Sequence, residues 1–163
     1  MTKALTRAIG IDRGHQVPLA SVCGTDSWAQ ANYLSNITPQ SSELNQGPWK
    51  NLEEKVRKIV KEGNDVYVLT GLLYEKEMPS LPNTDEPHII PSGYWKIIAI
   101  QDDKFINTAS FIMEQDSKRK DNFCDKRVKL SEVQKRSELF IFPSLPIDHK
   151  VTEKLFDKNF VGS

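Results

Sequence analysis

Cysteine is scarce in this sequence, and the cysteines present do not form a metal-binding pattern. The chain of 163 residues has two of them, Cys23 and Cys124, far apart in the sequence. Neither a CxxC pair nor a Cys/His cluster occurs, which argues against a thiolate zinc site. We expect two free, buried thiols, with a disulfide between them as the alternative.

Long hydrophobic runs and an excess of charge are also lacking. No stretch reaches the roughly 18 apolar residues of a membrane span, and residues 1–11 lack the apolar segment of a signal peptide. We therefore expect no membrane partner and either a cytosolic protein or one whose export segment is absent from this sequence. The 22 basic and 22 acidic residues give zero formal net charge. A local basic stripe would still be sufficient for phosphate contacts.

The length suits one domain with a proper core. Hydrophobic residues make up 38% of the chain and charged residues 27%, as in ordinary globular proteins. We expect one domain over residues 1–163, with a motif core at 12–57, a sheet with flanking helices at 65–142 and a tail at 143–163.

The clearest helix is predicted over residues 48–62. Pro48 suits the first turn and Gly63 the stop. Its apolar residues recur at helical spacing and predict one buried stripe, formed by Trp49, Leu52, Val56, Ile59 and Val60. Glu53 lies at the edge of this stripe, where a carboxylate can be half buried and still face a site.

The remaining elements follow from β-branched and aromatic runs and from turn residues. We predict a central strand over 65–74, an antiparallel hairpin from 94–100 and 105–113, a helix over 130–139, a short strand at 140–142 and a helix around 151–156. Residues 36–48 are rich in Asn, Ser, Pro and Gly, which predicts a loop.

The region from Asp12 to Arg57 contains the residue types that phosphodiester hydrolysis requires. Histidine is the natural base near neutral pH, which makes His15 a candidate. An amide oxygen such as that of Asn45 can bind Mg²⁺ directly, with the Glu53 carboxylate holding its waters. Arg13 and Arg57 can clamp phosphate oxygens.

Each of these residues also has an ordinary structural interpretation. Asparagines such as Asn36 and Asn45 commonly form turns, and Glu53 could simply pair with Arg57 on the helix surface. The tryptophans are expected to pack in the core rather than to stack on bases; they are Trp28, Trp49 and Trp95.

Several sequence blocks, in order, carry a resemblance to a known family. They are DRGH at 12–15, NYLSNITPQ at 32–40, LNQGPW at 44–49, VLTGLLYE at 68–75, IPSGYWK at 90–96 and DNFCDKRV at 121–128. In these blocks the chain strongly resembles the DNA/RNA non-specific endonucleases of the ββα-metal class. The Serratia-type nucleases are the nearer group and the endonuclease G proteins the more distant one.

The resemblance implies an α+β protein with the ββα-metal (His-Me finger) nuclease fold, a central antiparallel sheet flanked by helices. It implies His15 as general base, Asn45 as direct Mg²⁺ ligand and Glu53 as ligand through water, with Mn²⁺ able to substitute. Arg13 and Arg57 would contact phosphate, and Asp12 and Asn36 would support the site. The substrates implied are DNA and RNA, cut without sequence preference, and relatives are often secreted or periplasmic.

One departure from the family pattern concerns the N-terminus. Family members carry a further region before the DRGH block, with sheet strands and another phosphate-contacting arginine, whereas eleven residues precede Asp12 here. We expect the chain to have lost that region, to receive it from another chain, or to be a fragment. The alternative function is therefore a homologue that binds nucleic acid or a partner protein without cutting. The oligomeric state stays open, with a homodimer among the alternatives.

Overall fold

Two sheets form the framework of the protein in this computed structural model, which describes residues 10–82, 88–101, 105–142 and 150–157. The smaller sheet pairs β1 (Ile11–His15) with β2 (Ile37–Ser41) in antiparallel fashion. The larger sheet has the order β3-β4-β5-β6, with β7 beside β5. Its strands are β3 (Val66–Leu73), β4 (Gly93–Gln101), β5 (Phe105–Glu114), β6 (Arg127–Val128) and β7 (Lys150–Thr152).

The predicted hairpin of β4 and β5 is confirmed, and it forms the centre of the larger sheet. All pairings in this sheet are antiparallel except that of β7, which runs parallel to β5. Because side chains alternate across a strand, β4 divides the core in two. One face contributes Tyr94 and Ile98 to a cluster with Trp49 and Leu52, and the other contributes Trp95 and Ile97 to a second cluster.

Helices cover both faces of the larger sheet. They are α1 (Leu19–Val22), α2 (Ser42–Leu44), α3 (Lys50–Lys61) and α4 (Leu130–Ser137), with 3₁₀ turns at Trp28–Asn32, Leu34–Asn36 and Phe123–Lys126. The predicted stripe places Leu52 and Ile59 of α3 in the interior. Val60 is half exposed, at the edge of the stripe. Helix α4 packs on the opposite face through Val133.

Strands β1 and β2 followed by helix α3 form the ββα unit that the family resemblance implies. The unit is fixed to the larger sheet through Pro39 of β2, whose carbonyl accepts hydrogen bonds from the Tyr94 hydroxyl at 2.6 Å and from Gln115 Nε2 at 3.0 Å. Gln115 also accepts from the Ser41 backbone N–H at 2.8 Å. The mixed architecture, with its central antiparallel sheet, agrees with the predicted fold class.

The predicted loop at 36–48 is wrong, because this segment contains β2, α2 and a π-helical turn, Asn45–Trp49. Pro39 fits in β2 because a strand that pairs on one side only does not need every N–H. The helix predicted from Pro48 begins as α3 at Lys50, since Gly47 has a non-helical backbone and interrupts the helix. Its end before Gly63 is confirmed.

Other corrections concern position and exposure. Strand β3 lies at the edge of the sheet in the part of the chain that is described, not at its centre. Residues 140–142 form no strand, and the helix predicted around 151–156 is replaced by strand β7 and a turn. Both cysteines are free, as expected, but exposed rather than buried. Trp49 and Trp95 are core residues, whereas Trp28 is 53% exposed.

None of the helices found in the described ranges has both the length and the apolar character needed to span a bilayer.

Candidate active site

Strand β1 presents the DRGH block with its side chains on alternating faces. Asp12 and Gly14 point to one side, and Arg13 and His15 to the other. Gly14 is required by close packing, since a Cβ atom there would lie 2.5 Å from Oε1 of the fully buried Gln40. The glycine therefore allows β2 to approach β1 closely and fixes the strand that ends in His15.

Asp12 holds Asn45 in one orientation. Its carboxylate accepts hydrogen bonds from Asn45 Nδ2, Gln46 Nε2 and the Ser42 hydroxyl, each at 2.8 Å. Because the Asn45 amide nitrogen is bound by Asp12, the carbonyl oxygen of the same amide is directed away from Asp12 and accepts no hydrogen bond from any described residue. An oriented amide oxygen of this kind is a suitable ligand for Mg²⁺.

The environment of Asp12 keeps this carboxylate charged. Burial raises the pKa of Asp12, but the hydrogen bonds from Asn45, Gln46 and Ser42, together with the charge of Arg119, outweigh burial and lower it below its usual value. Arg119 itself is fixed by an ion pair between its Nε and Glu43 Oε1 at 3.1 Å. The carboxylate therefore remains an acceptor for Asn45 throughout the neutral range.

Glu53 of α3 forms an ion pair that was not predicted from sequence. Lys96 of β4 lies beneath it, with 3.5 Å between Lys96 Nζ and Glu53 Oε1, and the side chain of Lys96 is 1% exposed. The same ammonium group lies 4.3 Å from the centroid of a Trp49 ring. Glu53 is therefore held between a buried cation and the site, rather than pairing with Arg57 as a surface carboxylate would.

Burial dominates the titration of both members of this pair. It raises the pKa of Glu53, whereas the positive charges of Lys96, Arg57 and His15 lower it by less. Burial likewise lowers the pKa of Lys96 more than Glu53 raises it. The influence of His15 and Arg57 on Glu53 shows that β1 and α3 bring these three side chains into one electrostatic neighbourhood.

Asn36 secures the segment that follows His15. Its side chain accepts a hydrogen bond from the Val17 backbone N–H at 2.9 Å and donates to the carbonyls of Val17 and Ala31, at 3.0 and 2.8 Å. The Asn36 carbonyl also accepts from the Gln16 N–H at 3.0 Å. This side chain thus binds two segments of backbone, at Val17 and at Ala31, which is more than a turn former does. The His15 ring is close to one further side chain, with 3.4 Å between His15 Nε2 and Asn32 Oδ1.

The structure therefore brings together most, but not all, of the predicted site residues. Asp12 and Asn45 are in direct contact, and Glu53, Arg57 and His15 interact through their charges. Arg13 shares a strand face with His15, but the described residues give it no ion pair, and the same holds for Arg57. Both guanidinium groups are thus available to phosphate.

The donor set fits a hard, largely hydrated cation. No group of three or more His, Cys, Asp or Glu side chains in the described residues is arranged to hold a metal ion. A Mg²⁺ site with one amide ligand and several waters does not require such a group. Asn45 could offer the direct ligand and Glu53 a carboxylate for the water shell.

Lys96, which pairs with Glu53, and Gln115, which binds β2, are positions that the sequence prediction missed. A signal for Lys96 was present, because a lysine in the apolar strand 94–100 must either reach solvent or be paired. Gln115 gave no comparable signal. Its role depends on the docking of β2 onto the larger sheet, which sequence spacing does not show.

Comparison with known proteins places the chain in a family. The sequence profile of the DNA/RNA non-specific endonucleases matches residues 2–147. A nuclease of Serratia marcescens is 45% identical over 150 residues, covering 90% of this chain and 56% of the relative. Nuclease C1 of Cunninghamella echinulata var. echinulata is 30% identical over 149 residues, covering 85% of this chain and 59% of the relative.

A mitochondrial relative matches a smaller share of the chain. Human mitochondrial endonuclease G is 38% identical over 119 residues, covering 61% of this chain and 37% of that protein. The chain thus spans about half the length of the curated relatives that it matches. The profile match over residues 2–147 shows that the chain belongs to the DNA/RNA non-specific endonuclease family.

Proposed function

We propose that the protein is a Mg²⁺-dependent endonuclease that hydrolyses phosphodiester bonds of DNA and RNA without sequence specificity. The observation that supports this most directly is the Asp12–Asn45 hydrogen bond at 2.8 Å, which leaves an oriented amide oxygen for a cation. The names of the relatives, which include nucleases and an endonuclease, support the same class of reaction.

Each side chain has a role in this proposal. His15 accepts a proton from the attacking water, and Asn36 keeps the backbone beyond His15 in place. Asn45 would hold Mg²⁺ directly and Glu53 would hold it through water, while Arg13 and Arg57 bind phosphate oxygens. When bound, Mg²⁺ supplies positive charge that stabilises the phosphate and the departing 3′ oxygen, so that the product carries a 5′ phosphate.

Recognition through phosphate accounts for the lack of sequence preference. Contacts to phosphate and sugar carry no sequence information directly. The proposed contacts, from Arg13 and Arg57, are both of this kind. DNA and RNA present the same phosphodiester group, so one site can serve both polymers.

The test compares the protein with His15→Ala and with His88→Ala on supercoiled plasmid and on RNA, in Mg²⁺ or in EDTA. His88 is an exposed histidine outside the site and serves as the matched control. We expect the wild-type protein to cleave both polymers in Mg²⁺ and neither in EDTA. The cleavage rate in Mg²⁺ should be unchanged in His88→Ala and reduced about 10²- to 10⁴-fold in His15→Ala. Equal cleavage by His15→Ala would remove the mechanism. Retardation of both polymers on a gel without any cutting would favour the binding homologue.

The metal proposal has a test that does not depend on activity. Mg²⁺ should raise the thermal midpoint of the wild-type protein, because a ligand that binds only the folded state stabilises it. In Asn45→Ala this rise should disappear, whereas in Gln46→Ala, which keeps the Asn45 amide, it should persist. A persisting rise in Asn45→Ala would show that the cation binds elsewhere.

A further inference from the structure

A cavity of about 340 Å³ adjoins the candidate active site and has no role in the reaction as described so far. It lies between the loop after β1, helix α3 and strand β3. Its lining residues are Gln16, Val17, Pro18, Ser21, Glu53, Val56, Val68, Thr70 and Lys96. Its volume lies within the range of small-ligand sites, roughly 300 to 1,000 Å³.

Glu53 connects this cavity to the phosphate site, because it belongs both to the site and to the cavity lining and its carboxylate is influenced by His15. A group that is covalently joined to a phosphate at His15 therefore has the cavity as its neighbour. In a nucleic acid, the group joined to each phosphate oxygen is a nucleoside.

The chemistry of the lining suits a nucleoside. Val17, Pro18, Val56 and Val68 provide apolar walls from different elements of the fold. Val17 is 48% and Val68 41% exposed, so apolar surface remains open to solvent at this position. The flat face of a base would cover such surface and gain hydrophobic free energy.

The polar part of the lining supplies both donors and acceptors. Gln16 donates from Nε2 to the Thr38 hydroxyl at 2.8 Å, whereas its Oε1 is buried and has no partner. A buried amide oxygen without a partner costs free energy until a donor reaches it. Ser21 and Thr70 add hydroxyl groups that can donate or accept.

We propose that this cavity binds the nucleoside on one side of the scissile phosphate. The proposal rests on the proposed function and deepens it. Amide and hydroxyl groups adapt to the edges of different bases, and the apolar walls accept the face of any base. The cavity therefore strengthens substrate binding without selecting a sequence.

Small phosphate esters distinguish binding in the cavity from binding at the phosphate site. Thymidine 5′-(p-nitrophenyl phosphate) and thymidine 3′-(p-nitrophenyl phosphate) each place a nucleoside on one side only, and bis(p-nitrophenyl) phosphate has none. Val68→Trp fills the cavity, and Tyr67→Trp, on the opposite face of β3 and 56% exposed, is the matched control.

For Val68→Trp we expect KM to rise about tenfold for one of the two thymidine esters, with kcat retained. KM should not change for the other ester or for bis(p-nitrophenyl) phosphate, and Tyr67→Trp should behave as wild type throughout. Equal KM values in Val68→Trp and wild type for all three esters would overturn the proposal. A uniform rise for all three would overturn it as well, because the substitution would then act on the phosphate site.

A binding measurement keeps this proposal separate from the proposed function. Titration calorimetry compares thymidine 3′,5′-bisphosphate with inorganic phosphate in EDTA, where no catalysis is required. Tighter binding of the bisphosphate to wild type than to Val68→Trp, with phosphate binding unchanged, supports the nucleoside site even if no ester is cut. Equal binding of the bisphosphate by both proteins overturns it even if the enzyme is active.

Discussion

Lys96 is the buried cation beside Glu53, and its replacement by methionine tests how the fold maintains a half-buried carboxylate in the site. Methionine has a similar length and suits an apolar interior. The substitution removes the ammonium group that lies 3.5 Å from Glu53 and 4.3 Å from the Trp49 ring centroid. Glu53 then has to keep its charge without its buried counter-ion, with Arg57 as a remaining cation that acts on it.

The magnitude follows from the geometry. At 3.5 Å and an effective dielectric constant of about 20, the attraction between the charges of Lys96 and Glu53 is about 5 kcal/mol. Burial opposes this attraction, as the raised pKa of Glu53 and the lowered pKa of Lys96 show. Removal of one partner from a buried pair typically costs about 3–5 kcal/mol. We expect about 3 kcal/mol, since Glu53 is partly relieved by solvent and by Arg57.

Urea unfolding of a double-mutant cycle measures this coupling. Lys96→Met should lower the free energy of unfolding by about 3 kcal/mol, and Glu53→Gln/Lys96→Met should recover most of that loss because no unpaired charge remains buried. The exposed i,i+4 pair of Lys58 and Glu62 gives a control, and Lys58→Met should cost about 0.5 kcal/mol or less.

The reasoning fails if Lys96→Met costs less than about 1 kcal/mol, because Lys96 would then not be the counter-charge of Glu53. It also fails if the double variant is as unstable as the sum of the single variants. That result would mean that Lys96 acts by packing alone.

Three further predictions concern the scaffold of the site. Asp12→Asn should raise the Mg²⁺ concentration needed for a given thermal shift about 10- to 100-fold, because the charged acceptor that orients the Asn45 amide is replaced by a neutral amide. The lowered pKa of Asp12 means that its stabilising effect is present above pH ~4 and is lost as pH falls through the folded-state pKa. Urea midpoints of wild type and Asp12→Asn should converge in acid, and a constant difference would contradict this. Gly47→Ala should destabilise by about 1–3 kcal/mol in urea, since a Cβ there lies 2.6 Å from Arg119 Cα, and an unchanged midpoint would show that the backbone yields freely. Tyr94→Phe should cost about 1 kcal/mol at neutral pH through the lost hydrogen bond. Burial raises the pKa of Tyr94 from 10.0 to about 12, so this difference should shrink as pH rises through that range, and a difference that grows would refute it.

The sequence predicted the parts of the site that depend on local spacing. Glu53 and Arg57 lie four residues apart on α3, so a helix prediction was sufficient to place them on one face. The end of α3 before Gly63 and the hairpin of β4 and β5 also followed from local patterns, because capping residues and alternating side chains act over short distances.

Errors arose where tertiary packing outweighs local preference. Pro39 suggested a loop, yet β2 forms because the Pro39 carbonyl accepts hydrogen bonds from Tyr94 and Gln115, which anchor this strand to the larger sheet. Density of β-branched residues suggested a central position for β3, whereas strand order depends on which partners pair with it. The burial of the cysteines was also predicted wrongly, because exposure is a property of the assembled surface.

The sequence by itself determined the family, the residue types of the site and helix α3, since these depend on motif order and on helical periodicity. Only the tertiary structure decided that Asp12 orients Asn45, that Lys96 pairs with Glu53 and that a cavity is lined by Glu53. These contacts join residues that are distant in sequence, such as Glu53 of α3 and Lys96 of β4. Their free energies depend on burial and on distances of a few ångströms, which exist only once the sheet and the helix have packed together.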